Sequence, residues 1–273
     1  MSAPAPPADP MTLPGPWNAV ADAYDEEFFA RTPELVARAL EILAPSPEAR
    51  VLDVGAGPGA LPLALAPRVA QVVAIDFAEN MVDRLRRHLA ASQVTNVEAR
   101  LMDGQALTFD DASFDAVSSM FGWFMFADRV AGLAGFRRVL RPGGRILVTS
   151  WSGIDRNTSL GAAMDAVRAA VPDLPRPSGP LPTQQPDVCA GELRAAGFRD
   201  VVVEVVDVPS RMGSVDAYWT TFERAGAPVV LLKQKLGARW SAVRDNVLAH
   251  LRSRFGDGPV DLQLSAIFTH GRR

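Results

Sequence analysis

Three carboxylates and a run of glycines carry the chemistry to be expected of this chain. In VLDVGAGPGA, Asp53 stands two residues before Gly55, and Gly55, Gly57 and Gly59 allow a tight turn that brings a ligand against the backbone. With Ala60 in the last place the run also satisfies the dinucleotide pattern G-x-G-x-x-G/A. Asp53 argues against that ligand, because a carboxylate would meet a pyrophosphate with like charge, whereas it would attract an ammonium group. Asp76 lies 21 residues after Gly55, where an acidic side chain can accept hydrogen bonds from both hydroxyls of a ribose. Asp103, followed by Gly104, offers an acceptor for the exocyclic amine of an adenine. Phe77 and Met102 are apolar residues placed to sandwich the ring. Together these residues describe a pocket for an adenosine that bears a cationic amino acid.

Only a parallel sheet would bring such residues to one edge. Between Ala49 and Trp151, short β-branched runs alternate with amphipathic stretches, the pattern of right-handed βαβ crossovers. Strands are expected at 50–54, 71–75, 96–101, 114–120 and 144–151, and after an interruption at 200–208 and 262–270. Ala78, Met81, Val82, Leu85 and Leu89 share one helical face; Val130, Leu133, Phe136 and Leu140 share another, and Leu160, Met164, Val167 and Val171 a third. The prolines of VPDLPRPSGPLP forbid regular structure, which makes 154–185 a lid-like insert, and 210–258 forms a second, helical one. The economical organisation is a single domain over 17–273 with these two cap inserts. Residues 1–16, with six prolines, no positively charged start and no apolar run, are expected to be a disordered leader and not a signal peptide.

Composition narrows the field further. The 273 residues are 48% hydrophobic, enough for a packed core. The 28 Lys+Arg against 31 Asp+Glu leave a net charge of -3, which gives no bulk attraction to nucleic acid or to an anionic membrane. A lone cysteine, Cys189, excludes an internal disulfide and a multi-thiolate metal cluster and fits a cytoplasmic location; no metal is expected. No apolar stretch reaches the roughly 20 residues of a bilayer span.

The segments VLDVGAGPG, VVAID, MDGQALTFDDASFDAV, FGWFMFAD and VLRPGGRILVTSW, in that order, resemble the successive motifs of the class I S-adenosylmethionine-dependent methyltransferases. The branch they are most similar to holds ubiquinone/menaquinone-biosynthesis and natural-product small-molecule enzymes. The resemblance covers 17–151 closely and 186–208 more loosely. It implies an α/β, Rossmann-like seven-stranded sheet in the order 3-2-1-4-5-7-6 with the last strand antiparallel. It implies S-adenosylmethionine as cofactor and S-adenosylhomocysteine as product. On this resemblance Asp53, Gly55 and Gly57 border the methionine part, Asp76 takes the ribose, Phe77 and Met81 flank the adenine, and Asp103 with Gly104 holds its edge. Tyr24, in a Tyr-Asp pair ahead of the first strand, would close over the cofactor, and Ser119 and Phe121 would lie between cofactor and substrate.

The implied reaction is methylation of an oxygen or carbon of a small, largely apolar or aromatic molecule, a secondary metabolite or quinone-like ring. Positioning alone can remove about 7 to 11 kcal/mol of such a barrier, so no conspicuous base is required. Phe121, Trp123, Tyr218, Trp219 and Phe222 are the substrate-contact candidates, although Tyr218, Trp219, Phe222 and Trp240 would serve equally to pack the cap. Phe124 and Phe126 read as core. His250 is the one histidine considered as a general base, while His88 reads as structural and Cys189 as inert. Few basic residues are expected near the cap, in keeping with a small-molecule partner and no nucleic acid. Rival readings are a non-methylating enzyme of the same cofactor (cyclisation, rearrangement or decarboxylation), a catalytically silent binding module, and a dinucleotide oxidoreductase. Monomer and homodimer stay open.

Overall fold

Aliphatic runs flanked by Gly, Asn and Asp become the strands of one sheet in the computed structural model, which describes residues 9–27, 33–174, 179 and 181–273. The strands are β1 (Arg50–Val54), β2 (Gln71–Asp76), β3 (Val97–Leu101), β4 (Phe114–Ser119), β5 (Leu140–Trp151), β6 (Arg199–Met212) and β7 (Val260–Arg272). Their order is 3-2-1-4-5-7-6, with β1 to β5 parallel and β7 antiparallel to both β5 and β6. The helices are α1 (Pro14–Glu27), α2 (Pro33–Leu43), α3 (Ala60–Leu65), α4 (Glu79–Ala91), α5 (Arg129–Val139), α6 (Thr158–Ala170), α7 (Pro186–Ala195), α8 (Val215–Ala225), α9 (Ala227–Leu236) and α10 (Trp240–Phe255). Side-chain caps start three of them: Asp128 accepts from Ala131 N, Asn157 from Leu160 N and Ser214 from Ala217 N.

A parallel sheet must be covered on both faces, and alternation along the strands supplies both cores. Val51 of β1 packs with Leu35, Leu61 and Leu85 of α2, α3 and α4. Its neighbours Leu52 and Val54 point the other way, to Leu133 and Phe136 of α5 and Leu193 of α7. A third cluster joins α6, α8 and α10 over the ends of β6 and β7, with Tyr218 and Trp219 fully buried at its centre.

Several expectations are corrected here. Val130 is 77% exposed, and Val139 takes the buried place beside Leu133, Phe136 and Leu140. The fully buried face of α6 is Ala162, Ala163 and Ala166; of the expected stripe Leu160, Val167 and Val171 pack at the margin of the same cluster, while Met164 is exposed. Residues 1–8 of the expected leader lie outside the described residues. The rest of it is ordered: Asp9 caps a 3-10 turn at Pro10–Thr12, Pro14 opens α1 and Trp17 Nε1 donates to Met11 O at 2.9 Å. Proline's fixed φ suits a helix start, so these prolines initiate structure. β6 runs on to Met212 and β7 starts at Val260, so each strand extends further than expected and 213–259 connect them. Nor is the cap poor in basic residues, since 210–258 holds eight Lys and Arg against four Asp and Glu. Much of that charge is paired, as in Arg224 with Glu26 and Glu27, and Lys233 and Arg244 with Glu223.

Candidate active site

The strand order reverses between β1 and β4, so the loops leaving their carboxyl ends run apart and open a crevice. A cleft of about 1170 Å³, counting its open mouth, lies there. Tyr24, Asp53, Gly55, Gly57, Asp76, Phe77, Met81, Met102, Asp103, Gly104 and Phe121 all line it. Among the described lining residues the charged ones are acidic: Asp53, Asp76 and Asp103.

The turn after β1 is shaped by close backbone approach. Gly55 has φ +68°, and a Cβ there would sit 3.1 Å from the Cα of Gly122 in the turn after β4. Ser119 pins the two turns together, donating from Oγ to Val54 O at 2.7 Å and accepting from Trp123 N at 3.0 Å. It is therefore buried behind the cleft wall and does not line the cleft, which corrects its assignment as a cofactor contact.

Register places the carboxylates. Asp53 faces Ser118 across the β1–β4 ladder, and Ser118 Oγ donates to Asp53 Oδ1 at 2.6 Å. Burial, reinforced by the nearby Asp76, pushes the Asp53 carboxyl up to about 7 despite that hydrogen bond. Asp76 ends β2 with both oxygens engaged, Oδ1 by Ala78 N and Oδ2 by Gly57 N, each at 2.9 Å. Burial raises it to about 6, opposed by the backbone N–H groups of Ala78, Gly57 and Phe77. Asp103 holds its loop through Gln105, accepting from its backbone N at 2.9 Å and from Nε2 at 3.1 Å. The Tyr24 hydroxyl is pushed up to about 12 by burial first and by Asp76 second, so it stays neutral.

Helix α1 forms the roof, held on α4 by polar contacts at both ends. Asn80 N donates to Asn18 Oδ1 at 2.9 Å and Asn80 Nδ2 to Asn18 O at 3.0 Å. At the other end the buried Asp25 carboxylate lies 2.8 Å from His88 Nε2 and 2.9 Å from Arg84 Nε. The structural reading of His88 thus acquires a partner.

The remaining substrate and base candidates sit elsewhere. Trp123 is 1% exposed in the core between the sheet and α5, because the Gly122 turn sends it beneath the strands. Tyr218, Trp219 and Phe222 form the cap core and do not reach the cleft. Tyr218 is further fixed by a hydrogen bond from its hydroxyl to Ser159 O at 2.5 Å. His250 lies on α10, away from the cleft. Phe124 packs into the core as expected, whereas Phe126 also reaches the cleft, its ring seated where Cβ atoms at Gly104 and Gly132 would be, 2.5 Å away. Sequence reasoning missed Trp17, Val36, Met120 and Trp151 as lining residues. For Trp151 a signal existed, since it ends a parallel strand at the edge where ligands bind.

A family model described as a methyltransferase domain matches residues 51–144. Nocamycin O-methyltransferase of Saccharothrix syringae is 32% identical over 273 residues, covering 93% of this chain and 94% of that relative. Demethylmenaquinone methyltransferase of Deinococcus radiodurans is 37% identical over 181 residues, 60% of this chain and 73% of that one. Among solved structures, the YcgJ protein of Bacillus subtilis has the same fold, with a TM-score of 0.58 at 20% identity over 88% of this chain and 98% of that one.

Proposed function

Because the chain belongs to the class I S-adenosylmethionine-dependent methyltransferases, we propose that its cleft holds S-adenosylmethionine with the methionine end at Asp53 and Gly55 and the ribose at Asp76. The adenine would lie among Phe77, Met81 and Met102, its edge toward Asp103 and Gly104. The observation that carries this reading is Asp76. A carboxylate has about four acceptor positions. The backbone N–H groups of Ala78, Gly57 and Phe77 hold three of them and fix the carboxylate at the cleft wall, which leaves about one for a ribose hydroxyl. Asp53 supports it, as a buried carboxylate beside the glycine turn that a cationic amino acid would keep ionised.

When bound, S-adenosylmethionine supplies an electrophilic methyl on a positively charged sulfur. The chain's own part is to align and to exclude water, which is worth about 7 to 11 kcal/mol in a well-oriented displacement. Trp17 and Tyr24 on α1 cover the cleft, and the Gly55–Gly122 contact fixes the wall. The protein methylates small molecules, and the relatives that include an O-methyltransferase and a demethylmenaquinone methyltransferase favour oxygen or carbon of a largely apolar or aromatic acceptor. A cytoplasmic site of action and no nucleic-acid partner complete the proposal, supported by the net charge of -3 and the single cysteine.

Calorimetric titration with S-adenosylhomocysteine, with NADH as the comparison, tests the cofactor. Micromolar binding of the first alone is expected. Binding of NADH alone, or of neither by folded protein, would overturn the assignment. Release of S-adenosylhomocysteine on incubation with S-adenosylmethionine and an acceptor separates methyl transfer from the non-methylating reactions.

A further inference from the structure

At the carboxyl ends of β4 and β5 stands an arrangement that cofactor binding leaves unexplained. Phe121, two residues past β4, has φ +57°, a left-handed conformation rare for an aromatic residue. Its backbone N donates to the buried Thr149 Oγ1 of β5 at 2.9 Å, which fixes the turn against the neighbouring strand. In that position the Phe121 ring stacks on Trp151, the last residue of β5, with centroids 4.0 Å apart and planes inclined by 17°. Both rings are only partly buried, and both line the cleft.

The sheet order says which part of a ligand would meet this pair. Asp103, Asp76 and Asp53 stand at the ends of β3, β2 and β1, so the proposed cofactor spans that half of the edge, with its methionine end at β1. The next strands in the sheet are β4 and β5, and Gly122, adjacent to Phe121, packs directly on Gly55. An acceptor approaching the methyl group from the side away from the adenosine therefore arrives over Phe121 and Trp151. Stacked face to face and fixed through the backbone, the pair leaves an outer aromatic face that is flat and rigid, and such a face gains most from a flat partner and least from a puckered one.

We propose that the stacked Phe121 and Trp151 form the acceptor wall of the cleft and select molecules with a planar conjugated face, an inference that rests on the methyl-transfer reading. The left-handed turn at Phe121 keeps its ring parallel to Trp151, so the two act as one wall.

The test uses the full chain saturated with S-adenosylhomocysteine and two probes of matched skeleton, naphthol and its fully saturated counterpart decalol, titrated by calorimetry. Wild type should bind naphthol about threefold to tenfold more tightly than decalol, the range expected of aromatic contacts beyond buried area. Trp151→Leu and Phe121→Leu should each abolish the preference, Trp151→Phe should retain it, and S-adenosylhomocysteine affinity should stay within about twofold in the two Trp151 variants. Circular dichroism melting confirms folding of each variant, and Trp151→Phe serves if a leucine variant does not fold. Equal binding of the two probes, no naphthol binding at about 1 mM, or a preference untouched by the leucine variants would overturn the proposal. If S-adenosylhomocysteine itself fails to bind wild type, the cofactor reading falls instead, and the naphthol preference, measured without it, still decides the wall.

Discussion

Asp53 should make cofactor affinity depend steeply on pH. Its carboxylate is 2% exposed, and burial pushes it up to about 7 against an ordinary value of about 4. A ligand carrying an ammonium group needs the ionised form, so binding must first remove the proton wherever it is present. At pH 8 the penalty is negligible, at pH 7 it is about 0.4 kcal/mol, and at pH 6 about 1.4 kcal/mol, a tenfold loss of affinity. Asp76, raised to about 6, adds its own penalty below that pH, so affinity at pH 5 should be roughly a thousandfold below its plateau. The assay is calorimetric titration of S-adenosylhomocysteine from pH 8 to pH 5.5 in two buffers of different ionisation enthalpy. It should report release of about 0.6 proton at pH 7 and about 1.4 at pH 6, the two carboxyls together. Asp53→Asn should weaken binding at pH 8 and flatten the profile above pH 6.

The stability effect has the opposite sense. A carboxylate whose pKa is higher in the folded state stabilises that state fully at low pH, and the contribution is lost as pH rises toward 7. Ligand-free Asp53→Asn should therefore melt higher than wild type at pH 8, by up to ~4 kcal/mol of unfolding free energy. Affinity that is flat between pH 8 and pH 6, with no proton release, would refute the argument that this buried carboxylate meets a cation.

Gly104→Ala should drive its new methyl into Phe126 Cζ and Val54 Cγ1, each 2.5 Å away. We expect a loss of about 1–3 kcal/mol in denaturant unfolding, with weaker S-adenosylhomocysteine binding, and Phe126→Leu in the same chain should recover part of both. Removing the latch with Asp25→Ala leaves His88 and Arg84 without the carboxylate between them. Stability should fall by about 1–3 kcal/mol, and hydrogen exchange should rise across 14–27, where α1 roofs the cleft. Unchanged exchange there would show that α1 is held by its apolar contacts alone.

Residue type and short spacing located the strands and the carboxylates of the cleft, while the order of the sheet came from the family resemblance. The strands come out within a few residues because β-branched runs between Gly, Asn and Asp report local backbone preference. The carboxylates at the ends of β1, β2 and β3 could be read because each sits in its own βα turn, next to the glycine or apolar neighbours that give it meaning. The aromatic half was another matter. Phe121, Trp123, Tyr218, Trp219 and Phe222 look alike in the chain, yet only Phe121 reaches the cleft.

Nothing local distinguishes a ring that fills a core from one that walls a pocket, since burial and ligand contact reward the same side chains. Tertiary packing made that choice. It sent Trp123 beneath the sheet, gave Tyr218 and Trp219 to the cap core, and stacked Trp151 on a Phe121 held in a left-handed turn. It also buried the alanines of α6 deepest against α10, with most of the apolar stripe packed at the margin, and it brought Asp25 to His88, 63 residues further along the chain. The sequence by itself determined the elements and the chemistry at each strand end, because those depend on neighbours along the chain. Which aromatic surface meets the acceptor was decided only by the tertiary structure, because it depends on how distant elements pack.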